Sequence, residues 1–249
     1  MPTVAWYFFW TSKALPDLAE KYGEPFSKAM EEQMLNLEDQ ILIHLGTPIK
    51  ALGDGLMCAF GLWPVDKPGY HAVDQALRFA WQAVKDFRRI GGYPPLRLRV
   101  GLHWGPVVVA DRDDIDLFGD TVNLASRLEE CNKHYGTQIM VSEEIMQRTR
   151  LAACLREVDT VRVAGKDDPV TVYCWDETFV DTRANGHRRS YEQALSYYRK
   201  GKFARAMAFL ESGIAEGDAL CKPLTERLQQ LGSAPADWTG IWSLTKTGY

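Results

Sequence analysis

The sequence predicts an α+β fold: a βαββαβ unit of the ferredoxin-like type, in which an antiparallel sheet carries helices, followed by a small C-terminal helical hairpin. Strand-like runs alternate with amphipathic helical runs in the first part of the chain, and a Gly-Asp-Gly turn joins two short apolar runs. In residues 190–214, apolar residues recur with the spacing of a helix and no strand-like run is present. We therefore expect one domain over residues 1–178 and a helical tail over residues 179–249.

The predicted strands are short runs of β-branched and aromatic residues. Thr3–Phe9 is the first, and Ile49–Leu52 and Leu56–Phe60 flank Gly53-Asp54-Gly55, which indicates a hairpin because glycine supplies the positive φ of the turn. Leu96–His103 alternates apolar and basic residues. Further strands are predicted at Pro106–Val109, Gln138–Val141, Val158–Val163 and Val170–Trp175.

The predicted helices follow from apolar residues that recur every three or four positions. Lys13–Leu45 has this spacing and is interrupted at Gly23 and Pro25; His71–Ile90 and Asp120–Tyr135 follow. In the tail, Ser190–Ile214 resembles one helical pair of a tetratricopeptide repeat, which we expect to dock on the main domain because a single pair cannot form a solenoid. Trp238 and Trp242 are expected to anchor the end of the tail.

Composition excludes several classes of protein. The chain has 249 residues, 46% apolar and 25% charged, which is typical of a globular protein and not of a disordered chain, a collagen or a coiled coil. A net charge of −4 argues against a nucleic-acid partner. The basic stretch Arg183–Arg205 is interpreted as a solvated linker and helix face; a nucleic-acid or membrane surface is the less favoured alternative.

The cysteines and the N-terminus indicate a cytoplasmic protein without a membrane segment. The five cysteines are scattered and form no CxxC pair, which argues against a disulfide framework or structural zinc and for a reducing compartment. The apolar start, Met1–Trp10, is too short to span a bilayer and has no basic residue before it.

Two segments carry residues suited to chemistry: Lys50–Met57 and Asp116–Glu129. Asp54, at the expected hairpin tip between two glycines, suits a carboxylate presented to a hard cation such as Mg²⁺, although such a turn can also be purely structural. Asn123 and Arg127 are four residues apart on a helix and therefore share a face. An amide and a guanidinium on one face can hold a sugar and a phosphate, or form a solvated surface.

These segments resemble the catalytic domain of the class III nucleotide cyclases. Arg97–Pro106 (RLRVGLHWGP), Ile139–Ile145 (IMVSEEI) and Val161–Tyr173 are similar to that family in the expected order, and the resemblance covers residues 3–178. The tail is similar to that of several bacterial cyclases, in which a helical pair precedes an Asp-Trp-x-Gly-x-Trp segment.

The resemblance implies an enzyme, a phosphorus–oxygen lyase that converts a nucleoside triphosphate to a 3′,5′-cyclic monophosphate and pyrophosphate for signalling, with Mg²⁺ or Mn²⁺ at a dimer interface. Asp54 matches the second of two metal-binding aspartates, Asn123 the ribose-positioning residue, and Arg127 the residue that stabilises the α-phosphate. Lys50 and Asp116 match the pair that binds the base. An ammonium donor and a carboxylate acceptor suit N1 and the N6 amino group of adenine, so ATP is the expected substrate rather than GTP or a pyrimidine nucleotide.

The sequence departs from the family at two places. The first metal aspartate is expected about 44 residues before Asp54, where Trp10 stands. A phosphate-binding lysine is expected where Ala164 stands, and Lys166 and Arg162 are the candidate substitutes. Two hypotheses follow: an adenylate cyclase, homodimeric, with a weakened metal site, or a non-catalytic cyclase-like chain that binds ATP or completes a heterodimer with an active partner.

Overall fold

The computed structural model describes residues 2–11, 14–51, 55–65, 71–87, 92–94, 96–111, 115–164, 166, 168–176 and 185–244. Its contacts divide the chain into two compact units. The first contains Met1–Asn132 and Gln138–Arg150, and the second contains Lys133–Thr137 and Leu151–Tyr249. The division at residue 178 into a cyclase-like domain and a tail stays a prediction.

In the first unit, five strands follow one another in the order β7-β4-β1-β3-β2. All neighbours are antiparallel except β4 and β7, which run parallel because helix α4 connects them. The sheet is therefore mixed, where the sequence predicted an antiparallel one. The strands are β1 (Pro2–Thr11), β2 (Gly46–Ala51), β3 (Gly55–Phe60), β4 (Arg97–Pro106) and β7 (Ile139–Ser142).

The residues of β3 and β2 account for the burial of the first strand and the irregular pairing of the second. All six residues of β3 are buried, as expected for a central strand that is apolar without alternation. Strand β2 contains Pro48, which lacks a backbone donor, and its pairing with β3 is irregular between Pro48 and Lys50. The predicted hairpin turn lies outside the described residues. A separate antiparallel pair, β5 (Val108–Asp111) and β6 (Ile115–Phe118), includes one strand that the sequence did not predict.

The helices of the first unit largely confirm the sequence prediction. The helical run that was expected to break near Gly23 consists of two helices, and Gly23 between them has a φ of 63°, which favours glycine. The helices are α1 (Ala14–Tyr22), α2 (Glu24–Ile43), α3 (Ala72–Phe87), α4 (Asp120–Tyr135, whose last residues belong to the second unit) and the short α5 (Glu143–Met146).

Helix α4 packs closely on strand β4. A Cβ at Gly101 would lie 2.1 Å from the carbonyl oxygen of Ala125, so only glycine allows this approach. The Asn132 amide donates to the carbonyl of Val100 at 2.9 Å. At the other end of the helix, the Thr121 hydroxyl donates to the carbonyl of Pro106 at 2.6 Å. The close approach at Gly101 and these two hydrogen bonds to backbone carbonyls fix the position of α4 along β4.

The second unit combines a three-stranded sheet with helices. Strand β8 (Leu155–Arg162) lies between β9 (Val170–Trp175), with which it is antiparallel, and the short parallel strand β10 (Trp242–Ser243). A 3₁₀ turn, Ala152–Cys154, precedes β8. The helices are α6 (Asn185–Arg199), α7 (Phe203–Ala215) and α8 (Cys221–Leu231).

The predicted helical pair is confirmed as α6 and α7, whereas α8 was not predicted. Trp238 anchors the tail as expected: its indole N–H donates to the carbonyl of Tyr198 at 2.9 Å, and its ring meets those of Tyr198 and Phe203 edge-on. Among the described residues, no helix is long and apolar enough to cross a membrane.

Candidate active site

Lys50 and Asp116 form an ion pair in the first unit. Lys50 Nζ donates to Asp116 Oδ2 at 2.6 Å, and both side chains remain partly exposed. Asp116 Oδ1 accepts the backbone N–H of Leu117 at 2.8 Å. The hydrogen bond from Lys50 and this backbone donor together lower the pKa of Asp116 below its ordinary value, against the opposing effect of desolvation. Asp116 is therefore held as an anion.

The ion pair joins two strands, since Lys50 lies on β2 and Asp116 lies on β6. The irregularity in β2 before Lys50 adjusts the direction of that edge strand, and Asp116 lies on β6 opposite Ala110. The ammonium of Lys50 also lies 5.7 Å from the ring centroid of Phe118, two residues after Asp116 on the same face of β6. A donor, an acceptor and an aromatic ring are thus adjacent and accessible to solvent.

Asn123 and Arg127 lie on consecutive turns of α4. Gly119, with a φ of 125°, makes the turn between β6 and α4, and its carbonyl accepts the Asn123 backbone N–H at 3.2 Å. The Asn123 side chain is exposed. The guanidinium of Arg127 is partly exposed and donates to Glu130 Oε2 at 3.0 Å. The helix therefore presents an amide and a guanidinium that is already held by a carboxylate.

Asp54, the one residue that the sequence indicates as a metal ligand, lies outside the described residues, directly before Gly55. The register of β1 places Phe9 opposite Gly55 and Trp10 opposite Leu98, and the segment Phe9-Trp10-Thr11 contains no carboxylate. Within the described part of the chain, no cluster of three or more His, Cys, Asp or Glu residues could hold a metal ion.

Arg162 and Lys166, the candidate phosphate ligands, belong to the second unit, whereas Lys50, Asp116 and the two α4 residues belong to the first. Arg162 is the last residue of β8, and its carbonyl accepts the backbone N–H of Leu244 at 2.9 Å. Lys166 donates its backbone N–H to the carbonyl of Val163 at 3.1 Å. Their role with a phosphate stays a prediction.

Two neighbours of the site were not identified from the sequence. Glu130 was detectable, because an Arg–Glu pair spaced by three residues on a helix is a common ion pair. Phe118 was detectable as the residue two positions after Asp116, provided that the segment was recognised as a strand.

A polar cluster in the first unit contains a histidine, a serine and a glutamate but does not form a catalytic triad. The ring nitrogen Nδ1 of His103 lies 2.8 Å from Ser142 Oγ and 3.5 Å from Glu144 Oε2. A triad requires its serine and carboxylate on different ring nitrogens, and Ser142 is fully buried. The pKa of Glu144 is lowered from 4.5 to about 2, first by the hydrogen bond with His103 and further by hydrogen bonds with Ser142 and the backbone, against the opposing effect of desolvation. The cluster is structural.

Comparison with known proteins agrees with the fold. The family model described as the adenylate and guanylate cyclase catalytic domain matches residues 11–176. Adenylate cyclase 1 of Rhizobium meliloti (strain 1021) is 29% identical over 157 residues, which cover 58% of this chain and 23% of that protein. Guanylate cyclase 2G of Rattus norvegicus is 34% identical over 134 residues, which cover 50% of this chain and 12% of that protein. The chain thus spans about a quarter or less of the length of these relatives.

The solved structures share the fold. The crystal structure of the adenylyl cyclase CyaB from P. aeruginosa matches with a TM-score of 0.56 at 23% identity, covering 71% of this chain and 95% of that one. The catalytic core of a rhodopsin-guanylyl cyclase with converted specificity, in complex with ATPαS, matches with a TM-score of 0.58 at 20% identity, covering 70% and 94%. The predicted α+β fold, a sheet flanked by helices, is confirmed. With two thirds of its residues matched by the family model, the chain belongs to the adenylate and guanylate cyclase catalytic domain family.

Proposed function

We propose that this chain is an adenylate cyclase, which converts ATP to 3′,5′-cyclic AMP and pyrophosphate at a dimer interface. Family membership supports nucleotide cyclase activity, since curated relatives include adenylate and guanylate cyclases. The observation that favours adenine over guanine is the ion pair between Lys50 and Asp116, which places one donor and one acceptor 2.6 Å apart at an accessible position.

Adenine matches this pair in both of its hydrogen bonds. Its N1 accepts a hydrogen bond from an ammonium, and its N6 amino group donates one to a carboxylate. Guanine presents a donor at N1 and an acceptor at O6, so in the orientation in which adenine binds each of these groups would face a partner of the wrong kind. Because Asp116 is held as an anion by Lys50, the carboxylate cannot donate to O6 in place of accepting. Binding of adenine therefore replaces the hydrogen bond between Lys50 and Asp116 with two hydrogen bonds to the base.

Asn123 and Arg127 carry the ribose and α-phosphate functions in this proposal. The reaction forms a bond between the ribose 3′-oxygen and the α-phosphorus, breaks the bond to the bridging oxygen of pyrophosphate and releases the 3′-hydroxyl proton. Asn123 orients the ribose, and the guanidinium of Arg127 stabilises negative charge at the α-phosphate. Arg127 shares its charge with Glu130 at 3.0 Å in the free chain, so binding the phosphate requires that this contact open or be shared.

The dimer is supported by an exposed apolar surface on the β5–β6 pair. Val108 is 64% exposed, Phe118 is 49% exposed, and the two residues are cross-strand neighbours; Val109 on β5 is also exposed. Exposed apolar side chains grouped on one hairpin favour burial against a partner. Members of the family act as dimers and generally use divalent metal ions. We propose Mg²⁺ or Mn²⁺ here, with Asp54 as the ligand that this chain offers.

A second candidate function is a complementary, non-catalytic subunit that binds ATP and completes the site of a partner cyclase. The end of β1 favours it: Phe9 pairs with Gly55 at the start of β3, and the segment Phe9-Trp10-Thr11 contains no carboxylate. Asp54 is then the single aspartate that remains to bind two metal ions, which are normally held by two shared carboxylates. In such a heterodimer this chain would supply the base, ribose and α-phosphate contacts.

We also propose that the chain is cytoplasmic and of a bacterial type. The five cysteines are free thiols, which supports a reducing, cytoplasmic compartment and a role in intracellular signalling. The helical pair α6 and α7 followed by the Asp237–Trp242 segment supports a bacterial type of cyclase with a tetratricopeptide-like tail.

Equilibrium binding of ATP and GTP tests the proposed base specificity. The wild type is expected to bind ATP more tightly than GTP. Lys50→Met removes a charged hydrogen bond worth about 1.5–3 kcal/mol, so ATP affinity should fall roughly 10- to 150-fold. Lys85→Met is the matched control, because Lys85 also lies over an aromatic ring, that of Trp81, but on α3. Equal affinity for both nucleotides, or an unchanged ATP affinity in Lys50→Met, would contradict the proposal.

A further inference from the structure

Arg227 is a buried cation that joins three elements of the second unit. It lies on α8 with 6% of its surface exposed, and its Nη1 donates to Asp159 Oδ2 on β8 at 2.5 Å. Its Nη2 donates to the hydroxyl of Tyr135 at 2.9 Å, and its Nη1 also lies 3.2 Å from the hydroxyl of Tyr198 on α6. The ring of Trp242 covers the guanidinium at 4.6 Å. The tail therefore closes around one arginine.

Tyr135 is the contact that gives this network a function beyond holding the tail. It is the last residue of α4 and is 1% exposed. Its hydroxyl donates to Asp159 Oδ2 at 2.7 Å while it accepts from Arg227, so both of its hydrogen bonds are used. The C-terminal end of α4 is thereby tied to β8 and to α8 through hydrogen bonds to two oppositely charged, buried side chains.

We propose that Arg227 and Tyr135 are positioning residues, through which the C-terminal tail fixes the helix that carries Asn123 and Arg127. This inference rests on the proposed function of those two residues. Helix α4 is continuous from Asp120 to Tyr135, and Tyr135 is eight positions after Arg127, which corresponds to about 12 Å along the axis. A rigid helix of this length transmits a tilt or shift at one end to the other.

The network acts by position and not by charge. The guanidinium of Arg227 is neutralised by Asp159, so its field at the distance of Arg127 is small. The contacts to Tyr135 are short and directional, and a displacement of about 1 Å at a reacting group can lower a rate by about two orders of magnitude. Loss of the Tyr135 hydroxyl should therefore reduce turnover more than it reduces nucleotide binding.

The chain offers a matched control in Tyr191. This residue is also a fully buried tyrosine of the second unit, and its hydroxyl donates to the carbonyl of Val158 on β8 at 2.7 Å. This hydrogen bond ties the tail helix α6 to the same strand and leaves α4 uninvolved. Tyr135→Phe and Tyr191→Phe each remove one buried hydroxyl, and only the first loosens the end of α4.

The test compares hydrogen exchange and steady-state kinetics of the two variants in the full chain. In Tyr135→Phe we expect faster amide exchange in the last turns of α4 and a kcat roughly 2- to 30-fold lower, with KM within about twofold of the wild type. Tyr191→Phe should leave both the α4 exchange and kcat near wild-type values. Equal effects of the two variants on α4, or unchanged α4 exchange in Tyr135→Phe, would overturn the inference.

The two proposals can fail separately. If the wild type produces no cyclic nucleotide, the proposed catalytic function fails, while the exchange of α4 amides in the two variants still decides whether the tail holds this helix. If the wild type is active and both variants behave alike, the positioning inference fails and the proposed function stands.

Discussion

Replacing Gly101 by alanine tests whether the close packing of α4 on β4 positions the site. A Cβ at residue 101 would lie 2.1 Å from the carbonyl oxygen of Ala125 and 2.3 Å from the backbone nitrogen of Glu129. Both atoms belong to the helix backbone, so no side chain can rotate away. Restoring ordinary contact distances requires α4 to move by about 1 Å from the sheet.

The expected cost is at the upper end of the range for an overpacked core, about 3 kcal/mol, which corresponds to a fall in melting temperature of roughly 6–12 °C for a chain of this size. Where the folded state survives by moving α4, Asn123 and Arg127 move with it, and turnover should fall about 100-fold. Thermal unfolding followed by circular dichroism and the rate of cyclic AMP formation are the two assays.

Gly136→Ala is the control for backbone strain. Gly136 has a φ of 68°, and an added Cβ would meet no described atom within 4 Å beyond its chain neighbours. Alanine there therefore meets only the cost of a left-handed conformation, about 1–2 kcal/mol. A melting temperature for Gly101→Ala equal to that of the wild type, or a loss no larger than that of Gly136→Ala, would refute the close packing and the reasoning that depends on it.

Three further predictions concern stability. The lowered pKa of Glu144, which results first from its contact with His103, contributes stability that is complete above pH 4.5 and is lost as the pH falls toward about 2. Glu144→Gln should remove this pH dependence of the free energy of unfolding in urea, an effect of less than about 1 kcal/mol because the side chain is partly exposed. An unchanged fall in stability at acid pH in this variant would contradict the assignment to Glu144. Arg156→Met leaves Asp218 buried without its partner and should cost about 3–5 kcal/mol in thermal unfolding; a loss below about 1 kcal/mol would show that the pair is not buried in solution. Thr121→Val removes the hydrogen bond to Pro106 and should cost about 1 kcal/mol by the same measurement, and a stabilised variant would exclude this contact.

The sequence predicted most strands and helices because their apolar periodicity is local. It predicted neither β6, a run of four residues that includes Asp116, nor α8. In α8 the buried face contains Arg227 between Leu224 and Leu228, so the apolar stripe that marks a helix is interrupted. The partner that makes this burial tolerable, Asp159, lies 68 residues earlier, and no spacing rule connects the two.

For the site, the resemblance to a family selected Lys50 and Asp116, and the structure places these residues in contact across 66 positions of sequence. Their assignment to adenine stays a prediction. The contact of Lys50 with Phe118 could not be derived from the sequence, because it depends on how β2 and β6 approach each other. The restraint on Tyr135 by the tail was equally hidden, since hydrogen bonds between distant segments leave no periodic signal.

Formation of cyclic AMP from ATP and Mn²⁺ by the purified chain, with Asp54→Ala measured beside it, distinguishes a catalytic cyclase from a complementary subunit. The wild type is expected to produce cyclic AMP and to produce less cyclic GMP from GTP, and Asp54→Ala is expected to abolish the activity. Bound ATP without any cyclic AMP would contradict the claim of catalysis and favour the complementary subunit.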